Sequence, residues 1–275
     1  MPVIVSLCFL FGAGLQVNWI LGIAALINIL LFHAAANLWS DLSDFKHGVD
    51  TLETIGPKTL TSGEYKPSEI KIFSICLFAI AIVLGLTIVC LTSIKLLWIG
   101  VFGAILALIY PLMKFNALGD LNIFLTFCIL PSIGVSLIAV GEIYWPIIFA
   151  TIPIGLMVVA ILHSNNARDH IHDQAASIHT LAMVIGQKAS YWVYALEVVF
   201  LPYTWIAVMT GAAIYTPLSL AGFLTLPIAL SNNKQFRNMV YNGSGNINDL
   251  DVKTAQLQML LGLVMSIAFI LGKYI

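Results

Sequence analysis

The sequence predicts an all-α integral membrane protein, a polytopic bundle of about nine transmembrane helices. Of its 275 residues, 60% are hydrophobic and only 9% are charged, whereas a soluble chain carries about 25% charged residues. The apolar residues form long continuous runs, and a helix satisfies its backbone hydrogen bonds within such a run even in lipid. The net charge of -1 favours no nucleic-acid partner, and the four isolated cysteines predict neither a disulfide framework nor a zinc site.

Hydropathy places the predicted transmembrane helices, in chain order, at 3–17, 19–40, 71–92, 96–113, 119–140, 144–163, 190–212, 214–231 and 254–273. The first is shorter than the ~20 residues that span a bilayer. It lacks the positively charged start of a signal peptide, so we expect a retained helix that is short or tilted. Only short polar stretches separate the two segments within 3–40 and the two segments within 190–231. The predicted number of helices is therefore nine, give or take one. We expect one transmembrane domain over 1–275.

Three long polar segments, 41–70, 164–189 and 232–253, follow the second, sixth and eighth apolar segments and therefore share one side of the membrane. Most basic residues lie on that side: Lys46, Lys58, Lys66, Lys71, Lys114, Arg168, Lys188, Lys234, Arg237 and Lys253. Only Lys95 and Lys273 fall on the other side. Because lysine and arginine concentrate in cytoplasmic loops, we expect these segments and the N-terminus to face the cytoplasm from the cell (inner) membrane.

Two acidic clusters follow the second and sixth apolar segments. In the first, helical spacing places Asn37, Asp41 and Asp44 on one face, with His33 a turn earlier. In the second, the run Asn165-Asn166-Ala-Arg168-Asp169-His-Ile-His-Asp173 places Asn166, Asp169 and Asp173 on one face.

Carboxylates stacked one turn apart repel each other, and this repulsion is weakly screened beside lipid. A divalent cation removes the repulsion, and Mg²⁺ is commonly held by one or two carboxylates together with substrate phosphates. Arg168, Lys46 and Lys58 lie near the clusters in sequence and are candidates for direct phosphate contacts. The two clusters together therefore predict a site for Mg²⁺ and a diphosphate.

At these residues the chain resembles the UbiA-type intramembrane prenyltransferases, and most closely the 1,4-dihydroxy-2-naphthoate polyprenyltransferases of menaquinone synthesis. The first motif of that group, N-D-x-x-D-x-x-x-G-x-D, is matched here by Ser40-Asp41-x-x-Asp44-x-x-x-Gly48-x-Asp50. The second, N-N-x-R-D-x-x-x-D, is matched in full from Asn165 to Asp173. The chain departs from the group at Ser40, at Thr59 and at Ile178, where the group carries an asparagine, a basic residue and a lysine.

The resemblance implies a helical bundle around a central cavity that opens sideways to lipid. It implies transfer of a polyprenyl group from polyprenyl diphosphate to an aromatic acceptor, with 1,4-dihydroxy-2-naphthoate the expected acceptor, in menaquinone biosynthesis. The residues expected to hold Mg²⁺ and carry catalysis are Asp41, Asp44, Asp169 and Asp173. The residues expected to contact substrate are Asn37, Lys46, Asp50, Lys58, Asn165, Asn166 and Arg168.

Several alternatives stay open at this stage. The chain could be a prenyltransferase with a different acceptor, or a degenerate family member that acts through a partner protein. It could also be a secondary transporter, whose ion sites would lie at broken helices near the bilayer midplane. His33 and His163 are the favoured histidines for deprotonating the acceptor, ahead of His170 and His172. The sequence decides neither the role of Glu197, an isolated acid within an apolar segment, nor whether 232–253 is a solvated loop or a lid.

Overall fold

The computed structural model describes residues 1–49, 51–52, 58–175 and 179–275, apart from the side chains of residues 171, 172 and 175. The helices of these described residues are α1 (Pro2–Gly12), α2 (Trp19–Lys46), α3 (Pro67–Leu91), α4 (Lys95–Lys114), α5 (Gly119–Val140), α6 (Pro146–Arg168), α7 (His170–Ala175), α8 (Leu181–Gly211), α9 (Leu226–Asn242) and α10 (Leu250–Gly272). A 3₁₀ segment, Pro217–Thr225, leads into α9.

Within the described part of the chain, seven helices are long and apolar enough to cross a membrane: α2, α3, α4, α5, α6, α8 and α10. The predicted polytopic helical bundle is therefore confirmed. Two predicted segments differ in detail. The first becomes α1, whose 11 residues are too short for a span, and 214–231 becomes the 3₁₀ segment followed by the first residues of α9.

The short helix α1 lies inside the bundle. It is apolar on every side, and such a helix is stable where it is surrounded by other helices or lipid. Nearly all of its side chains are buried, and it packs against α6 and α10. Phe9 meets Phe269 of α10 edge to face, with ring centroids 5.0 Å apart.

The helices α2 and α3 form a hairpin held by polar contacts that a lipid environment favours. The Asn28 side-chain amide donates to the carbonyl of Ala81 at 2.6 Å, and the Ser74 hydroxyl donates to the carbonyl of Ala35 at 2.9 Å. Such bonds join membrane helices because the alternative is an unpaired polar group in hydrocarbon. The outer face of α3 carries exposed apolar side chains, including Phe73 and Val83, as a lipid-facing surface requires.

The connections at one end of the bundle touch each other. His47, just after α2, packs edge to face against Phe115, just after α4, with centroids 5.5 Å apart. The backbone N–H of His179, between α7 and α8, donates to the carbonyl of Phe115 at 3.3 Å. Arg168 at the end of α6 donates to Asp251 at the start of α10. The polar segments after α2, α6 and α9 therefore share one end of the bundle.

Candidate active site

A cavity of about 830 Å³ lies mainly between α2, α3, α4, α5 and α6. Apolar side chains such as Leu86, Leu97 and Ile138 line most of it. At the end where the connections meet, its wall is polar and consists of Asn37, Ser40, Asp41, Asp44, Tyr110, Lys114, Asn165 and Asn166. The volume lies within the range of sites that enclose organic ligands. The cavity suits a molecule with a polar head and a hydrocarbon tail.

The first acidic cluster lies on the last turns of α2, which continues through Lys46 instead of ending with the apolar segment at residue 40. This continuation keeps the helical spacing of Asn37, Asp41 and Asp44, and all three side chains line the cavity. The amide of Asn37 also lies 3.3 Å from His33 Nε2, one turn earlier. The helix thus presents two carboxylates and an amide to the same space.

Asp44 is ion-paired across the cavity end. Lys114 Nζ donates to its Oδ2 at 2.9 Å, and the two side chains are only 14% and 10% exposed. The other oxygen, Oδ1, is buried and has no hydrogen-bond partner among the described residues. A buried acceptor without a partner is costly, so this oxygen is suited to bind a ligand that enters the cavity.

Lys114 is a site residue that the sequence analysis missed. It lies on α4, one turn after Tyr110, and both side chains line the cavity. Lys114 also interacts electrostatically with Asp173 of the second acidic cluster. In the sequence, Lys114 stands out only as a lysine at the end of an apolar segment, and most such lysines simply reach the membrane surface. The pairing with Asp44 spans 70 positions and is visible only in the folded chain.

The second cluster is divided between the cavity and an ion-paired network beside it. Asn165 and Asn166 line the cavity. Arg168 ends α6, and its Nε and Nη2 donate to the two carboxylate oxygens of Asp169 at 2.8 and 2.9 Å. Asp173 is buried in the next helix, α7, and its backbone N–H donates to the carbonyl of Asp169. The uninterrupted helical face expected for Asn166, Asp169 and Asp173 is therefore broken at Asp169, where α6 ends.

The remaining predicted contact residues lie farther from the cavity wall. Lys46 is exposed at the last position of α2. Lys58 is half-buried, and its Nζ donates to the carbonyl of Thr51 at 2.9 Å. Asp50 and Ile178 lie outside the described residues. Of the described candidates, Arg168, Asp169, Asp173, Lys46 and Lys58 do not form part of the cavity wall.

The two favoured histidines lie in different environments. His33 lines the cavity and meets the ring of Phe127 edge to face at 4.9 Å. His163 is fully buried outside the cavity wall, and its Nδ1 lies 2.9 Å from Asp120 Oδ2. Glu197 is buried in a π-helical turn of α8, Leu196–Phe200, and interacts electrostatically with Asp120. The structure thus places His33 with the cavity, and His163 and Glu197 with a separate buried group.

The chemistry of the donor set fits Mg²⁺ held jointly with a phosphorylated ligand. Asp41, Asp44 and the neighbouring amides supply oxygen donors, the ligands that Mg²⁺ prefers. Within the described residues, no group of three His, Cys, Asp or Glu side chains is arranged to hold a metal alone. Since Mg²⁺ is commonly bound through one or two carboxylates plus substrate phosphates, the substrate would complete the coordination.

Known proteins resemble this chain over most of its length. The family model described as "UbiA prenyltransferase family" matches residues 1–239. The human "UbiA prenyltransferase domain-containing protein 1" is 34% identical over 254 residues, which cover 90% of this chain and 72% of the relative. The "1,4-dihydroxy-2-naphthoate octaprenyltransferase" of Bacillus subtilis (strain 168) is 30% identical over 270 residues, 94% of this chain and 84% of the relative.

Two solved structures share the fold. The apo structure of a UbiA homolog from Aeropyrum pernix K1 has a TM-score of 0.71 at 14% identity and covers 98% of this chain and 97% of that chain. A UbiA homolog from Archaeoglobus fulgidus, bound to GPP and Mg²⁺, has a TM-score of 0.61 at 14% identity and covers 97% and 96%. The family match over residues 1–239 and the identity to these relatives show that the chain belongs to the UbiA prenyltransferase family.

Proposed function

We propose that this chain transfers a polyprenyl group from polyprenyl diphosphate to 1,4-dihydroxy-2-naphthoate, an aromatic acceptor, in menaquinone biosynthesis. The observation that carries the proposal is a single cavity whose polar end holds Asp41, Asp44, Asn165 and Asn166 and whose remaining wall is largely apolar. Two comparisons support it. A relative with 30% identity is named for that reaction, and a protein of the same fold binds GPP together with Mg²⁺.

In this proposal the diphosphate head lies at the polar end of the cavity. Asp41, Asp44, Asp169 and Asp173 would hold Mg²⁺, and Asn37, Asn165 and Asn166 would contact the head through their amides. Lys114 contributes a positive charge beside Asp44. Further substrate contacts are assigned to Arg168, Lys46, Lys58 and Asp50, the last of which lies outside the described residues.

The reaction begins when the bond between the first isoprenyl carbon and the diphosphate oxygen breaks and its electron pair stays with the diphosphate. Mg²⁺ held by the acidic clusters would supply the positive charge that offsets the negative charge developing there. The apolar wall keeps water away from the allylic cation, which would otherwise be hydrolysed. A ring carbon of the acceptor then attacks the cation and forms the new C–C bond. The same carbon loses its substituent without the bonding electron pair, as a proton taken up by a base or, if the carbon carries the carboxylate, as CO₂, and this electron pair restores the aromatic ring.

The proposed orientation places the polar end at the cytoplasmic side of the cell membrane. Ten of the 12 lysines and arginines of the sequence lie in the connections expected at that end or in the helix turns next to them, a distribution that the positive-inside rule associates with the cytoplasmic side. A cytoplasmic polar end also gives the water-soluble acceptor direct access, while the isoprenoid chain enters from lipid.

The test is prenyl transfer by the full chain in detergent or membranes, with labelled polyprenyl diphosphate and 1,4-dihydroxy-2-naphthoate. Product should require Mg²⁺, and Asp41→Ala and Asp169→Ala should each lower the rate at least about 100-fold, since each removes a group proposed to hold the charged head. Asp249→Ala, at an exposed ion pair with Lys253, is the matched control and should retain activity. Wild-type rates in both cluster variants would refute the metal assignment.

A panel of acceptors tests the identity of the acceptor separately from prenyl transfer itself. Other phenols and a lipid alcohol are offered under the same conditions, and the naphthoate should give the highest kcat/KM. Turnover of another acceptor with none of the naphthoate would overturn the menaquinone assignment and retain prenyl transfer.

A further inference from the structure

The guanidinium group of Arg168 is directed at oxygens on several sides. Besides the bidentate contact with Asp169, Nη2 donates to Asn165 Oδ1 at 2.8 Å. Nη1 donates to Asp251 Oδ2 at 2.6 Å and lies 3.4 Å from the carbonyl oxygen of Asn248. These contacts account for all five N–H donors of the group. Arg168 thus joins the second acidic cluster to the start of α10.

Asp251 is held at this position by the packing of the first turn of α10. Leu250 is fully buried, and the hydroxyl of Thr254 lies 2.7 Å from that of Tyr194 on α8. The backbone N–H of Val252 donates to Asp251 Oδ1 at 2.9 Å, which leaves Oδ2 for Arg168. The sequence left open whether 232–253 is a solvated loop or a lid. Near the end of that segment, Asp251 is therefore held in place against Arg168 of the second acidic cluster.

The charges of this group affect the binding of a cation by Asp169. Both oxygens of Asp169 are occupied by Arg168, so a divalent cation must compete with the guanidinium for them. Arg168 contributes one positive charge, and Asp169 and Asp251 contribute one negative charge each. The side chains of Arg168, Asp169 and Asp251 are 7%, 19% and 17% exposed, so water screens their interaction weakly. Without Asp251 the group would be neutral and less attractive to a cation.

We propose that Asp251 is a positioning residue for the donor site, which holds and neutralises Arg168 so that Asp169 can give its carboxylate to the Mg²⁺-diphosphate head. This inference rests on the proposed function, because it takes a divalent cation and a diphosphate as the ligand. A purely structural tie between α6 and α10 makes a different prediction, namely loss of folded protein with no change in cation affinity.

The binding test uses the full chain in detergent and follows Mn²⁺ by electron paramagnetic resonance in the presence of inorganic diphosphate. Asp251→Asn removes the charge and keeps the shape, and it should weaken Mn²⁺ binding about fivefold, as expected for loss of one weakly screened charge near the site. Asp251→Ser removes the same charge with a smaller side chain and should show the same shift. Asp249→Asn, the matched control two residues earlier, should bind as wild type because Asp249 is exposed and pairs with Lys253.

The kinetic test separates positioning from folding. In Asp251→Asn the Mg²⁺ concentration for half-maximal rate should rise about fivefold, with kcat at saturating Mg²⁺ within about twofold of wild type. Asp251→Glu keeps the charge and should recover most of the affinity. Unchanged Mn²⁺ affinity in Asp251→Asn and Asp251→Ser would overturn the inference, and so would an Asp251→Glu protein as weak as Asp251→Asn.

The two proposals can fail separately. Wild-type protein that binds Mn²⁺ more tightly than Asp251→Asn but prenylates no acceptor would refute the proposed function and support the role of Asp251. Prenyl transfer with equal Mn²⁺ affinity in both proteins would support the function and refute that role.

Discussion

Lys114 and Asp44 form an ion pair in which neither side chain is more than 14% exposed. Two charges in such a position are stable because each compensates the other, and removal of one partner leaves the other buried and unpaired. The pair holds Asp44 at the cavity end without occupying its second oxygen. Lys114 thereby prepares the first cluster for a ligand that brings its own cation and its own anionic oxygens.

We predict that Lys114→Ala lowers kcat/KM for the polyprenyl diphosphate about 10- to 100-fold. The substitution removes the hydrogen bond from Lys114 to the Asp44 carboxylate, and a hydrogen bond to a charged group contributes about 1.5–3 kcal/mol. Lys114→Arg should recover part of this loss. Steady-state kinetics with varied donor concentration measure the effect. Lys71→Ala, at an exposed lysine near the start of α3, is the control. Equal kinetics for Lys114→Ala and wild type would show that donor binding and turnover do not depend on the lysine.

At the scale of the element, α1 shows how a helix too short to span a membrane is kept in the bundle. The apolar surface of α1 is covered by α5, α6 and α10, and the close approach to α10 occurs at Gly12. A Cβ atom at this position would overlap the backbone carbonyl of Phe269. Backbone is less able to move aside than a flexible side chain, so this contact depends on glycine.

We therefore predict that Gly12→Ala destabilises the fold by about 1–3 kcal/mol, the usual cost of overpacking. Thermal unfolding in detergent measures the effect as a lower Tm. Gly211→Ala, at a position where an added Cβ meets no atom within 4 Å, is the matched control and should leave the Tm unchanged. The same Tm for both variants would show that α1 moves away from α10 without cost.

The helix α2 extends beyond its apolar segment. Its apolar segment ends at residue 40, but the helix continues through Lys46 and carries Asp41 and Asp44 on the face that already lines the cavity. A polar continuation is stable because its carboxylates face a cavity and a lysine, not hydrocarbon. Hydropathy marks where lipid contact ends, which is a different boundary from the end of the helix.

At the scale of the whole molecule, the cavity determines how much hydrocarbon the protein can enclose. Gly100 of α4 lines the cavity, and an added Cβ there meets no atom within 4 Å. A larger side chain at this position would therefore start in open cavity space and take room from the ligand. Leu108, on the same helix, is half exposed and is not part of the cavity wall.

We predict that Gly100→Phe lowers the ratio of kcat/KM for a long polyprenyl diphosphate to that for geranyl diphosphate about tenfold. Exclusion of two methylene groups from the cavity costs about 1.6 kcal/mol. Competition between the two donors measures the ratio directly. Leu108→Phe should leave it unchanged, and an unchanged ratio in Gly100→Phe would place the isoprenoid chain elsewhere.

The sequence by itself determined the membrane class, the helical architecture and the two acidic clusters, because hydropathy and helical spacing are local properties of the chain. It also supported the family, since the motif from Asn165 to Asp173 is contiguous. Only the tertiary structure brought Lys114 to Asp44 and Asp251 to Arg168, contacts that join residues 70 and 83 positions apart. It also separated His33, in the cavity wall, from His163, in a buried pair with Asp120. Spacing along one helix predicts which side chains share a face, whereas the partner of that face depends on how the helices pack.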